Sequence, residues 1–132
     1  MFKRKIFTVL AILSLACLLS VPAYAQARYG LRTSRPVQVD AVVTDNAGNA
    51  MDYPVWVYGI RIFADANNSF MGVYDADTTG ECDDTTVRDE IGEATQYDTA
   101  VKMYDKPIFF SDGVAVIMTT GVGFIIYGPE PQ

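Results

Sequence analysis

What most restricts the fold of this chain is its punctuation. Short runs of β-branched and aromatic residues recur at near-regular spacing, and each run ends at Gly, Asn, Asp or Pro. Side chains of an extended strand alternate between two faces, so a strand with one buried face reads as period-two alternation. Pro54 to Phe63 (Pro-Val-Trp-Val-Tyr-Gly-Ile-Arg-Ile-Phe) is the strongest run. Strict alternation places Val55 and Val57 on one face and Trp56, Tyr58, Ile60 and Ile62 on the other. Both faces are apolar near its start, as in a strand covered on both sides or bordering a partner. Val37 to Val43 places Val37, Val39, Ala41 and Val43 on one side. Further runs are Phe70 to Tyr74, Tyr97 to Tyr104 (with Tyr97, Thr99, Val101 and Met103 on one face), Ile108 to Phe110, Val114 to Thr120 and Gly123 to Tyr127. Turns fall at Thr44–Asn49, Asn67–Ser69 and Asp112-Gly113, where Asn and Gly tolerate positive φ. No amphipathic helical period competes. The pattern predicts an all-β fold, a small antiparallel sandwich or barrel of seven or eight strands. Its expected core is Trp56, Ile60, Ile62, Val101, Val114 and Val116.

The first 25 residues stand apart. Lys3, Arg4 and Lys5 precede an apolar run from Ile6 to Leu19, and Pro22 precedes Ala23-Tyr24-Ala25. This is the pattern of a cleavable secretory signal peptide, cut after Ala25. A membrane anchor is the alternative, but the run falls short of the roughly 20 apolar residues a spanning helix needs. Lipoprotein processing at Cys17 fits less well, because Ser14 replaces an aliphatic residue and more apolar chain follows. The expected organisation is therefore a signal peptide (1–25), an extended N-terminal arm (26–36), a sandwich domain (37–128) and a short tail (129–132). The product is expected to be secreted or held at the cell surface, or periplasmic if not released, with no membrane insertion after cleavage.

Charge and composition exclude much. Cleavage removes three of the ten basic residues and none of the sixteen acids, leaving a net charge of −9. Such a chain is repelled by phosphate backbones, so nucleic acid is not an expected partner. Only Cys82 remains of two cysteines, which leaves no intramolecular disulfide. Histidine is absent from the chain, removing the usual general base. A paired-carboxylate glycosidase needs one acid kept dry in a cleft, and only Asp98 lies in an apolar strand-like segment. The expectation is a protein that is not an enzyme.

From Tyr58 onward, the pieces Gly59 to Ile62, Val73 to Asp75, Ile91, Pro107 to Val116 and Ile125-Ile126-Tyr127 occur in an order that resembles a small β-sandwich of tailed-phage structural genes and related short secreted proteins. The resemblance covers about two-thirds of the mature chain. It implies a jelly-roll-like sandwich acting as a structural or decorating module. The export signal departs from it, since virion proteins made in the cytoplasm need no export.

The stretch from Asp75 to Asp98 holds nine acids against Arg88. Within it, Asp75, Asp77, Thr79 and Asp83 take alternating positions around Gly80, as in loops that hold calcium with six to eight oxygens. Thr86 stands where such a loop wants a bidentate Glu, and a solvated acidic loop is the alternative. Cys82, among carboxylates, is a poor nucleophile, open to pairing between chains. Trp56, Tyr58, Phe70, Tyr74, Tyr104, Phe109, Phe110 and Tyr127 are either core or a sugar-stacking platform. Asn67-Asn68-Ser69 matches a glycosylation sequon and is read as a turn.

Two functions remain. One is an exported structural subunit that forms a homo-oligomer or fibre, using the basic arm against the acidic body and an unpaired edge strand for strand addition. The other is a monomeric module binding polysaccharide or an envelope protein, with or without calcium. N-terminal sequencing of the exported product is expected to begin at Gln26; retained residues 1–25, or a lipidated Cys17, would refute the cleavage assignment.

Overall fold

The computed structural model describes residues 30–132, which puts the expected signal peptide and the first four residues of the expected arm outside the described residues. Eight strands follow one another: β1 (Arg32–Thr33), β2 (Ala41–Val42), β3 (Val55–Phe63), β4 (Ser69–Asp75), β5 (Val87–Glu93), β6 (Thr99–Phe110), β7 (Val114–Met118) and β8 (Val122–Gly128). They form two four-stranded antiparallel sheets, β1-β8-β3-β6 (sheet A) and β2-β7-β4-β5 (sheet B). β1 pairs with β8, β2 with β7, β3 with β6 and β4 with β5. This is jelly-roll order. Only β4 and β5 are consecutive strands within one sheet, and the acidic stretch joins them.

The core lies between the sheets. Val55, Val57, Ile60, Ile62 and Ile125 of sheet A meet Met71, Val73, Ile91, Val114 and Val116 of sheet B, with Val43, Met51 and Phe110 filling the ends. The expected facing of β3 is corrected by a bulge. Its register with both neighbours shifts between Val57 and Gly59. A one-residue insertion changes which side chains face inward, because the pleat has period two. Val55 and Val57 therefore join Ile60 and Ile62 inside, while Trp56 and Tyr58 turn outward.

The bulge has a counterpart on β6, where Ile108 to Phe110 pair with Val57 to Val55 and Thr99 to Met103 pair with Phe63 to Gly59. Residues 104–107 span the gap, so two expected strands are one. Val101 opposes outward-facing Arg61 and is 56% exposed, which removes it from the expected core. Val39 also departs from its expected side, at 67% exposure. The chain changes sheets there, from the Val37–Gly123 bridge in sheet A to Ala41 beside Val116 in sheet B.

The described part of the arm is not a free extension. Arg32 and Thr33 pair with Tyr127 and Ile126. Ser34 donates its N–H to the Ile125 carbonyl, and the Ile125 N–H returns to Ser34 Oγ. Gly113 has φ +148° after the β6 strand, and a Cβ there would collide with the Met51 carbonyl that accepts from Val114 N. Ile60→Ala is expected to cost about 2–4 kcal/mol in urea unfolding, as buried aliphatic truncations do, whereas Val101→Ala stays within about 0.5 kcal/mol.

Candidate functional site

Of the four residues nominated for calcium, Asp75 and Asp83 already accept hydrogen bonds within the fold. Asp75, at the end of β4, is nearly closed to solvent. Its Oδ2 accepts from Arg88 Nη2 at 2.8 Å and Ser111 Oγ at 3.2 Å, and its Oδ1 from Asp112 N at 2.9 Å. It thereby ties β4 to the start of β5 and to the turn between β6 and β7. Burial pushes its pKa up, but the Asp112 N–H, Arg88 and Ser111 together outweigh that and hold it below its ordinary value of 3.8. Asp83 caps its own turn, accepting from Thr85 N at 2.8 Å and from the Thr85 hydroxyl at 2.6 Å, and its pKa is lowered by these bonds. Thr79 opens an exposed 3-10 turn, Thr79–Glu81. Asp77 lies beside Glu81 instead, and its charge raises the Glu81 pKa. Among the described residues, no group of three or more Asp, Glu or Cys side chains is placed to hold a metal. Burial, followed by Asp40, Asp83 and Glu81, pushes the Cys82 thiol above its ordinary 9.0.

The aromatic residues divide among three places. Phe110 and Tyr127 are core. Tyr104 packs against the core, and burial followed by the Asp89 carboxylate raises its phenol pKa. Asp89 Oδ1 also lies 2.6 Å from Lys102 Nζ, so a polar staple joins β5 to β6 across one open side of the sandwich. Phe70 and Tyr74 alternate with the buried residues of β4 and so belong to the outer side of sheet B. Trp56, Tyr58 and Phe109 lie on the outer side of sheet A.

That outer side is the distinctive surface. β3 contributes Trp56, Tyr58, Arg61 and Phe63; β8 contributes Val122, Phe124 and Ile126; β6 contributes Val101, Met103 and Phe109. With Thr99 of β6 and Thr33 of β1, which the register sets opposite Phe63 and Ile126, nine of these twelve side chains are apolar or aromatic. Val101, Met103 and Phe109 are 56%, 52% and 45% exposed. The Trp56 and Phe109 rings lie 4.9 Å apart and tilted by 42°. Tyr58 donates its hydroxyl to the Pro129 carbonyl at 2.7 Å. The Met103 sulfur occupies the space over Gly59 that a side chain there would fill. Arg61 lies with its guanidinium carbon 4.3 Å from the centre of the Phe124 ring, a cation–π contact, and forms no ion pair with any described carboxylate.

At strand spacings of about 4.8 Å and about 3.3 Å per residue, three long strands present roughly 15 by 23 Å. That is on the order of 350 Å², the size of the largest apolar patch on an ordinary monomer, and patches of that size are often functional. The sequence signal for this face was the doubly apolar start of β3; the side chains from β6 and β8 were hidden because their facing depends on the bulge.

No family model matches the chain, and no curated protein or solved structure is significantly similar to it.

Asp75→Ala is expected to cost about 2 kcal/mol, the scale of hydrogen bonds to a buried charge, with melting curves in calcium and in chelator superimposing. Because Asp75 has a lowered pKa in the folded state, its contribution is present above pH 3.8 and lost as pH falls through the lowered value. The gap between wild type and Asp75→Ala should therefore narrow in acid unfolding measurements below that pH.

Proposed function

We propose that the protein is an exported, non-enzymatic structural module that associates with copies of itself through the outer face of sheet A. The observation that carries this reading is a sheet face, left open by the described residues and built mostly of apolar side chains, on a chain otherwise rich in acids. Covering that face removes apolar surface from water, the main favourable term in association. A homo-oligomer or fibre at the cell surface or in the medium is the corresponding assembly.

The edges support the face as the point of contact. β1 and β2 have two residues each, too few to template an added strand. The other two edges are longer, but Lys102, Lys106, Pro107 and the bulge of β6, and Arg88, Asp89, Glu90 and Glu93 of β5, are features that discourage edge pairing. Arm exchange has less support, because Arg32 and Thr33 already pair within their own chain.

The alternative is a monomeric module for polysaccharide or an envelope protein. The Trp56–Phe109 pair is the feature in its favour, although rings tilted by 42° do not make one flat platform for a sugar ring. Light scattering coupled to size-exclusion chromatography at tens of micromolar discriminates the two. Wild-type mature protein is expected to run as a multimer, and Met103→Lys and Phe109→Lys as monomers with unchanged β-rich spectra. A monomeric wild type would transfer the face to the binding-module reading.

A further inference from the structure

The two outer faces of the sandwich differ in charge. Sheet A's outer face carries Arg61 and no carboxylate at any paired position; the one acid in its strands, Asp105, lies in the bulged stretch of β6 that has no partner on β3. Sheet B's outer face is different. Gly72 of β4 lies between Glu90 of β5 and Ile117 of β7. The Tyr74 ring folds over Gly72, with its nearest atom 2.8 Å from where a Cβ would stand. After burial, the charges that raise the Tyr74 phenol pKa are Cys82, Glu90, Asp84 and Asp40. Glu90 is exposed and forms no ion pair with any described base. This back face is therefore an aromatic and aliphatic patch with carboxylates around it.

Covering sheet A dehydrates Arg61. A guanidinium removed from water without a carboxylate costs several kcal/mol, and the Phe124 ring offsets only part of that. Two sheet A faces laid together would bring two such cations into one apolar interface with no acid between the paired strands. The back face of another copy supplies what is missing, an apolar centre around Tyr74 and Ile117 with Glu90 beside it. We infer that copies stack front to back, sheet A of one against sheet B of the next, with Arg61 meeting Glu90. The inference rests on the self-association reading above and specifies its geometry. A contact between two different faces does not close on itself unless the rotation happens to form a ring, so the assembly extends into a filament.

Charge reversal at each face tests this. Arg61→Glu and Glu90→Arg alone should each raise the concentration needed for assembly by about 100-fold, since like charges brought together cost several kcal/mol. Mixing the two variants should restore long particles in light scattering and electron microscopy, because each then offers the face that the other requires. Circular dichroism of each variant verifies the fold. Wild-type particles that stop at a dimer at every concentration, or Glu90→Arg that assembles as wild type does, overturn the front-to-back arrangement while leaving self-association through sheet A in place. A wild type that stays monomeric removes the underlying reading as well.

Discussion

A single irregularity in β3 decides which side chains this sandwich buries. The pleat alternates strictly, so without the shift between Val57 and Gly59 the strand could not place both Val55–Val57 and Ile60–Ile62 in the core. Trp56 would then compete with the aliphatic residues for the interior. With the shift, four β-branched residues fill the space against β4 and β7, and the aromatic residues are displaced to the outside. Gly59 permits it, because the backbone of β6 and the Met103 side chain come too close there for any larger residue. The bulge raises stability and exposes apolar surface in the same step.

Much of the architecture is legible in the sequence. The turn positions at Asn68, Gly48 and Gly113 and the antiparallel sandwich follow from local patterns, since turns with positive φ have few residue choices, whereas β1 and β5 lie outside the expected runs and two expected runs merge in β6. The facing of individual side chains is less accessible. Val101 and Met103 look like core by alternation, yet lie outside because β6 follows β3 through its bulge. Val39 looks like core because a change of sheet leaves no mark in hydropathy. The acidic loop is the opposite case. Its spacing matches an ion-binding pattern, but Asp75 is consumed by Arg88 and the β6–β7 turn, a partnership between residues 37 positions apart in the chain for Asp112. Sequence spacing shows which oxygens are near one another along the chain, not which are already satisfied.

The distribution of charge gives the two sheets different characters. Glu90, Asp84 and Asp40 keep the back of the sandwich hydrated, and the Lys102–Asp89 pair with Tyr104 closes one open side. At its paired positions the front carries only Arg61. High net negative charge keeps such molecules apart in solution, so the self-association proposed above rests on short-range contact at a matched surface rather than on general attraction. This favours ordered contacts over amorphous aggregation.

The pairing of β1 with β8 also governs when the domain can form. Its first strand has no partner until its last has been made, and the core strand β3 waits equally for β6 and β8. Pairings so distant along the chain carry a large loop-closure cost and make folding slow. A partly synthesised chain therefore has no stable intermediate sandwich to adopt. Under the export proposed above, that delay keeps the chain unfolded and transportable until its C-terminal strand has crossed.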